Sequence, residues 1–421
     1  MTDRIKRLLA DAGIENYLIN ESHAESVELY FVRRALEQKR GKCIDKSTVT
    51  VYRDAVRDGE RLRGAGEALI FLDMTDSEIK DKLTCAYASA EYAYAPAYPL
   101  CEPSKAHKKE DGSDSFPALD IMARRYSEAI FAEKQDECYV NCAELFLTKT
   151  SVRISNSLGL DVSYTECRCD GELVVSSAAG EDSELFDYFS YTGEQYDSLA
   201  RRVRELLLAV LDRSYATRSL PSGEYSLIIE GDACRELFGY YLWKSDAQNI
   251  HTGYSQARIG DALVPSDSVA ASILCAVTHP YSREGIPMKD TPLTDNGKLL
   301  SYTGGMRFCS YIGAEPTGEY ERLCVRAGER SIEDMKKGPY LHVVSFSDFQ
   351  FDSFDGYFGG EIRLAYLSDG AKVRAVTGGS VSSNISKLQD SATASAETCE
   401  SYNYSGPRYL MIRGVTVSGS K

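Results

Sequence analysis

The stretch Tyr225–Lys244, YSLIIEGDACRELFGYYLWK, changes from strand-like to helix-like sequence around a single turn. The apolar run 225–229 predicts a strand, and an acidic turn with one glycine follows at 230–232. Residues 233–244 then place apolar side chains at helical spacing. Helices that follow such turns often position catalytic groups, yet this helix contains no His and no pair of metal ligands.

Composition limits the classes of protein to which the chain can belong. At 421 residues, two or three domains are expected, and 43% hydrophobic with 26% charged residues is typical of a globular protein. The net charge of -15 argues against a nucleic-acid partner and against an anionic membrane surface, because both need clustered Lys and Arg. The 12 Cys are scattered and no export signal is visible, so we expect reduced thiols and a cytoplasmic protein without membrane spans.

The order of elements predicts an α+β protein with three domains. Residues 1–112 predict an N-terminal α+β domain, and residues 113–220 predict a middle domain of strands and one long helix. Residues 221–421 are mostly short strands broken by Gly, Pro, Asp and Asn, which predicts a β-rich domain of the sandwich or barrel type.

Local signals predict individual elements within these domains. Helices are predicted at 2–12, 75–92, 118–133 and 193–216, and the second begins with a capping box at Thr75 and Glu78. Tight hairpin turns are predicted at 156–159 and 368–370. The polar segment 34–46 contains Gly41 and predicts turns.

The candidate chemical groups form no recognisable motif. His251 and His279 do not stand at ligand spacing, and His107 lies in a charged, Pro-containing segment that favours a solvated loop. Cys167 and Cys169 share one face of a strand. We interpret them as buried thiols because the sequence offers no second pair of Cys or His that would complete a metal site with them. A nucleophile elbow and a phosphate-binding loop are both missing.

Several stretches, in order over nearly the whole chain, nevertheless match one family. They are 155–160 (SNSLGL), 223–238, 253–261 (GYSQARIGD), 284–287 (EGIP), 295–299 (DNGKL) and the tail 406–419. Together they resemble the TldD/PmbA family, which is also called modulators of DNA gyrase and is regarded as metallopeptidase-related. The resemblance implies two kinds of subunit that act as a heterodimer, of which the TldD kind carries a zinc motif, H-E-x-x-x-H, and the PmbA (TldE) kind does not.

The resemblance also implies where zinc ligands would lie. Aligning residues 227–229 with the family's strand puts Gly239 and Tyr240 at the positions of the first His and the Glu, and Lys244 at the position of the second His. Cys399 lies near the family's third ligand and would be a remnant of the site. One thiolate does not hold a zinc ion, so no metal is expected in this chain and zinc is expected only in a TldD-like partner.

Three functions remain open on this basis. The chain is interpreted as the non-metal-binding partner of a TldD-like subunit, and the pair would degrade or process unfolded or leader peptides. A stand-alone hydrolase would need a site assembled from distant residues such as His251, His279 and Cys399. A homodimeric protein that binds peptides without cleaving them is the third.

Overall fold

One antiparallel sheet of seven strands runs through the predicted N-terminal and middle domains. The computed structural model describes residues 1–107, 116–133, 137–179 and 183–420, and all of their side chains except those of residues 388 and 390. The strands are β1 (Asn16–Val32), β2 (Ala35–Arg57), β3 (Glu60–Phe71), β4 (Ala95–Pro96), β5 (Cys138–Asn156), β6 (Asp161–Ser177) and β7 (Glu184–Thr192). Their order in the sheet is β4-β3-β2-β1-β5-β6-β7.

The pairing of β1 with β5 joins the two predicted domains. It runs from Leu18 opposite Asn156 to Val32 opposite Cys142, over the whole described length of both strands except their ends. The predicted boundary at residue 112 falls outside the described residues. The first two predicted domains therefore share a backbone hydrogen-bond ladder and are not two separate sheets.

Four helices cover this sheet. They are α1 (Thr2–Asp11), α2 (Asp76–Ser89), α3 (Leu119–Ile130) and α4 (Tyr196–Ser214), and a short 3-10 turn (Ala90–Tyr92) follows α2. All four lie within the spans that the sequence predicts. The capping box of α2 is confirmed, because Thr75 Oγ1 accepts from the Glu78 backbone N–H at 3.3 Å and Glu78 Oε2 accepts from the Thr75 N–H at 2.8 Å.

The prediction of turns at 34–46 is wrong. This segment forms the first half of β2 and pairs with β1 from Ala35 opposite Val32 to Lys46 opposite Ser22, with one register shift between Leu36 and Gln38. Its side chains are exposed on both faces from Ala35 to Ile44, so no apolar alternation marks it as a strand. The pairing with β1 supplies the hydrogen bonds that the side-chain pattern does not reveal.

Both predicted hairpin turns are confirmed. Asn156 organises the first one: its Oδ1 accepts from the N–H groups of Leu158 and Leu160 at 2.9 and 3.1 Å. Its Nδ2 donates to the carbonyl of Cys101 at 2.6 Å, so the buried amide also holds a distant segment. In the second turn Gly370 adopts a positive φ of 95° between β-strands, which favours glycine.

The β-rich C-terminal domain is also confirmed, and one of its two sheets closes into a ring. Its strands are β8 (Gly223–Glu230), β9 (Ile273–Ala276), β10 (Thr291–Asp295), β11 (Lys298–Leu299), β12 (Arg322–Val325), β13 (Pro339–Phe351), β14 (Tyr357–Asp369), β15 (Val373–Val376), β16 (Ser380–Asn384), β17 (Thr393–Ala394), β18 (Thr398–Ser401), β19 (Tyr404–Pro407) and β20 (Tyr409–Ser418). The ring follows β13-β8-β20-β16-β14 and returns to β13. The other sheet has the order β11-β10-β9-β12-β19-β18.

A helix lies between these two sheets and fills the core. The helices of this domain are α5 (Asp232–Ser245), α6 (Ala247–Thr252), α7 (Met306–Ile312), α8 (Ile332–Met335) and α9 (Ile385–Ser391). Helix α5 contacts β8 and β13 of the ring and β10 and β12 of the other sheet. Its Leu237 and Phe238 are fully buried, and the Phe238 ring stacks on Tyr404 with centroids 6.2 Å apart.

Ion pairs fix the middle domain against the C-terminal domain. Arg202 on α4 donates to Asp187 Oδ1 of β7 at 2.8 Å and reaches Asp232 Oδ2, at the start of α5, at 3.3 Å. Arg408, just before β20, makes a two-pronged contact with Glu205 of α4 at 2.7 and 3.0 Å. Planar guanidinium groups favour such bidentate pairs, and here they set the position of α5 relative to the first sheet.

Two further expectations concern buried thiols and membrane spans. Cys167 and Cys169 are buried as predicted, at 1% and 0% exposure. Among the described residues, no helix is both long enough and apolar enough to cross a membrane.

Candidate functional site around helix α5

The turn before α5 depends on one glycine. Strand β8 buries Leu227, Ile228 and Ile229 completely, and the chain then reverses at Gly231 with φ 61° and ψ -123°. An L-residue with a side chain rarely adopts this conformation, so glycine allows the strand to enter the helix directly. The predicted strand, turn and helix are all confirmed.

Gly239, Tyr240 and Lys244 lie in the second half of α5. Gly239 is half-buried, and a Cβ atom added there would meet no other atom within 4 Å. The Tyr240 ring packs edge-on against Phe351 with centroids 5.8 Å apart. Lys244 Nζ lies 5.3 Å from the Tyr240 ring centroid and 5.7 Å from that of Trp243. A Cβ atom at 239 therefore has room, but residues 239 and 244 supply no donor atoms.

This helix face does not suit a zinc ion. Zinc sites in proteins use thiolate, imidazole and carboxylate donors. Glycine offers no donor, and the ammonium of Lys244 has no lone pair for a metal and is instead placed over aromatic rings, where its charge is favourable. We therefore derive no metal chemistry from α5.

Three aromatic rings form an exposed surface beside Lys244. The Trp243 and Phe354 ring centroids are 5.3 Å apart, and those of Tyr254 and Phe354 are 5.2 Å apart. Phe354 is 64% exposed and Tyr254 is 60% exposed, although large aromatic side chains are usually buried in large part. We call Trp243, Tyr254 and Phe354 the aromatic surface.

Cys399 lies at the other end of α5. It sits on β18 opposite Gly406, and burial raises the pKa of its thiol to about 11. The charged groups that act on it include Arg408 and Asp232, the first residue of α5. Asp232 and Lys244 are about 18 Å apart along a helix that rises 1.5 Å per residue. The Cys399 thiol therefore lies near the start of α5, at the opposite end of the helix from Lys244.

The histidines of the second hypothesis have separate surroundings. The His251 ring on α6 lies 4.9 Å from the Tyr311 ring, whereas the His279 ring stacks on Tyr164 of β6 at 5.7 Å. Burial lowers the pKa of His279, so this side chain is neutral near pH 7. Within the described ranges, no group of three His, Cys, Asp or Glu side chains with donor atoms within 4.8 Å of one another contains His251, His279 or Cys399.

His107 lies in a loop, as predicted, but its ring is half-buried and hydrogen-bonded, so the prediction that it is solvated is wrong. Its Nδ1 accepts from the Ser104 N–H at 2.8 Å, and its Nε2 donates to the Gly285 carbonyl at 2.9 Å. Its ring stacks on Tyr281 at 5.8 Å. The segment before the middle domain is thus fastened to the C-terminal domain, through a partner so distant in sequence that no local pattern indicates it.

Glu284 is a half-buried acid that the sequence analysis did not single out. Burial raises the pKa of its carboxyl group, and its Oε2 accepts from the backbone N–H of Met306, the first residue of α7, at 2.7 Å. Its position in the EGIP stretch was a signal, because this stretch is one of those that resemble the family. Its neighbour Gly285 has a positive φ of 83° and presents its carbonyl to His107.

The seven-stranded sheet, the ring-shaped sheet and the helix between the two C-terminal sheets define the class of fold, and on α5 the positions 239 and 244 offer no metal donor. Residues 222–419 match the family model described as the PmbA/TldA metallopeptidase C-terminal domain. The C-terminal domain of the chain thus belongs to the TldD/PmbA family, which is metallopeptidase-related.

Solved structures show the same fold over the whole chain. TldE from Thermococcus kodakarensis is 16% identical with a TM-score of 0.79, and the match covers 99% of this chain and 100% of that one. A protein described as a candidate modulator of a DNA gyrase from Thermotoga maritima is 16% identical with a TM-score of 0.78, and the match covers 99% of this chain and 100% of that one. A protein with the same description from Bacteroides thetaiotaomicron is 14% identical with a TM-score of 0.73, and the match covers 99% of this chain and 98% of that one. The sequence has no match among curated proteins.

Proposed function

We propose that this chain is the subunit of a two-subunit peptidase that holds no catalytic metal. Its partner is a TldD-like protein with an H-E-x-x-x-H motif, and the pair degrades or processes unfolded or leader peptides. The observation that supports the proposal is which residues α5 carries at the positions aligned with the family's zinc motif. The positions that correspond to zinc ligands hold Gly239, Tyr240 and Lys244, and the last two form a cation–aromatic contact in place of a metal site.

The aromatic surface supports the existence of a partner. Aromatic side chains are enriched in the buried centres of protein interfaces and supply much of their binding energy. Trp243, Tyr254 and Phe354 lie together on and beside the helix that bears the corresponding positions. In the proposed pair, this surface packs against the zinc-bearing subunit, which supplies the metal and its water.

A free strand edge supports a contribution to peptide binding. Strand β3 pairs with β4 only at Leu62 and Arg63, and the rest of its outer edge has no strand partner in the described parts of the chain. An extended peptide can add to such an edge through backbone hydrogen bonds, which do not depend on peptide sequence. That property suits a peptidase that acts on unfolded chains.

Co-expression with a TldD-like protein that carries the zinc motif tests the proposal. The expected result is a stable complex that cleaves casein or short unstructured peptides and loses this activity with EDTA, whereas this chain alone is inactive. Lys244→Ala in this chain leaves cleavage unchanged, because Lys244 binds no metal in the proposal. Replacing either motif His of the partner by Ala removes cleavage.

A pair of variants tests the interface. Phe354→Ser weakens the complex by about tenfold or more, because interface aromatics contribute at least ~1.4 kcal/mol each when they anchor a contact. Tyr357→Ser is the control, since Tyr357 is 55% exposed but makes no ring contact with the aromatic surface.

Two results would replace the proposal by another function. EDTA-sensitive cleavage by this chain alone, without a partner, would establish a stand-alone hydrolase. Self-association with peptide binding and no turnover, in the presence of the TldD-like protein, would establish a homodimeric binding protein.

A further inference from the structure

We propose that His23, Glu25 and Cys43 form a Zn²⁺ site on the face of the first sheet, away from α5. The three side chains supply one imidazole nitrogen, one carboxylate oxygen and one sulfur, a donor set that suits zinc. In the described ranges, this is the only group of three His, Cys, Asp or Glu residues whose ligand atoms all lie within 4.8 Å of one another.

The strand register brings the three residues together. His23 and Glu25 are two residues apart on β1, so their side chains point to the same face of the sheet. On β2, Cys43 stands directly opposite Glu25 and Asp45 stands directly opposite His23. Donor atoms around tetrahedral zinc are about 3.3–3.8 Å apart for bonds of 2.0–2.3 Å. Small side-chain rotations would therefore close the site without movement of the backbone.

Asp45 orients the histidine for metal binding. Asp45 Oδ1 lies 2.8 Å from His23 Nδ1, and an ionised carboxylate can only accept, so Nδ1 carries the hydrogen. Nε2 is then the nitrogen that would bind the metal, with release of any proton it carries, and it faces Glu25 Oε1 at 3.5 Å. Metal-binding histidines commonly donate their other N–H to a carboxylate in this manner. The contact between Asp45 and His23 distinguishes this cluster from surface side chains that contact only solvent.

The charges of the cluster suit a divalent cation. The Cys43 thiol releases its proton to the buffer as the Zn–S bond forms, so thiolate and carboxylate together balance the two positive charges of the ion. Lys149 on β5 stands directly opposite Glu25 on the other side of β1, which places a positive charge on the strand next to the site. His23 and Glu25 remain 44% and 56% exposed, which lets the ion enter and leaves a coordination position for water.

Metal titration of the purified full chain tests the site. After treatment with EDTA and removal of the chelator, Zn²⁺ is titrated in competition with a chromophoric chelator, and Co²⁺ is added to a second sample. The expected result is one bound Zn²⁺ per chain and, with Co²⁺, a thiolate-to-cobalt charge-transfer absorption. Cys43→Ser removes this absorption and weakens Zn²⁺ binding by about 100-fold, and Asp45→Asn weakens it by about 10–100-fold.

Matched variants keep the test specific. Cys85→Ser removes another exposed thiol, on α2, and should change neither the stoichiometry nor the absorption. Lys149→Met should bind Zn²⁺ at least as tightly as the unmodified chain. Absence of stoichiometric zinc, or unchanged binding in Cys43→Ser, would overturn the proposal.

The site is independent of the proposed partner function. If the unmodified chain binds zinc and Cys43→Ser does not, the zinc is bound at the site on the first sheet. Zinc in the isolated unmodified chain then does not indicate a peptidase centre. Complex formation and peptide cleavage should persist in Cys43→Ser if both proposals are correct. Zinc that stayed bound in Cys43→Ser would contradict this site and would also favour the stand-alone hydrolase.

Discussion

Replacing Gly239 by Ala should stabilise the chain by about 1 kcal/mol. Gly239 lies inside α5, and its φ is not among the positive values found at other glycines. A Cβ atom there meets nothing within 4 Å, so the substitution introduces no clash. In a helix interior, Ala is favoured over Gly by about 0.8–1.0 kcal/mol, because glycine loses more backbone entropy on folding.

Gly231 provides a control with matched surroundings. A Cβ atom at Gly231 also meets nothing within 4 Å, so the two positions differ mainly in backbone conformation. The φ of 61° and ψ of -123° at Gly231 are strained for any residue with a side chain. Gly231→Ala should therefore destabilise the chain by about 1–3 kcal/mol.

Urea unfolding followed by tryptophan fluorescence measures both effects. Trp243 is the single Trp of the chain and lies one helical turn after Gly239, so it reports on α5. A higher midpoint for Gly239→Ala and a lower midpoint for Gly231→Ala, at equal slope, are expected. A lower midpoint for Gly239→Ala would refute the conclusion that space is open beside position 239. The missing His would then reflect a lack of room in the structure and not only a change of chemistry.

Three further substitutions test contacts within and between the domains. Arg202→Met should lower stability by about 2–3 kcal/mol, because it leaves a largely buried carboxylate on β7 unpaired, and exposed Arg201→Met should change it by less than about 0.5 kcal/mol in the same urea assay. Asn156→Ala should cost about 2–3 kcal/mol by removing three hydrogen bonds to backbone groups in the first hairpin turn, and a loss below about 0.5 kcal/mol would contradict that role. The pKa of His279 is lowered by burial, so the unfolded chain binds the proton more tightly; stability should be full above the ordinary His pKa of 6.5 and fall as the pH drops below it. Urea midpoints at pH 7.5 and pH 5.5 should show a smaller difference in His279→Gln, and an equal difference would exclude this cause.

Local structure could be predicted wherever its cause lies within a few residues. The capping box at Thr75, the turn at Asn156 and the entry into α5 all follow from short-range hydrogen bonding or from glycine conformation. The exposed half of β2 could not be predicted, because it is held by pairing with β1 and lacks the apolar alternation of a half-buried strand. His107 could not be placed for a similar reason, since its acceptor is the carbonyl of Gly285 in another domain.

The sequence by itself determined which chemistry is missing from α5. No fold can give Gly239 a donor atom or give the Lys244 ammonium a lone pair, so these two residues offer no zinc ligand in any fold. Only the tertiary structure decided which groups meet. It separates Cys399 from Lys244, gives His251 and His279 different ring partners, and places His23 and Glu25 beside Cys43. The physical reason is that strand register and helix packing bring together residues that are far apart in the chain. The spacing of residue types along the sequence does not directly specify that register or that packing.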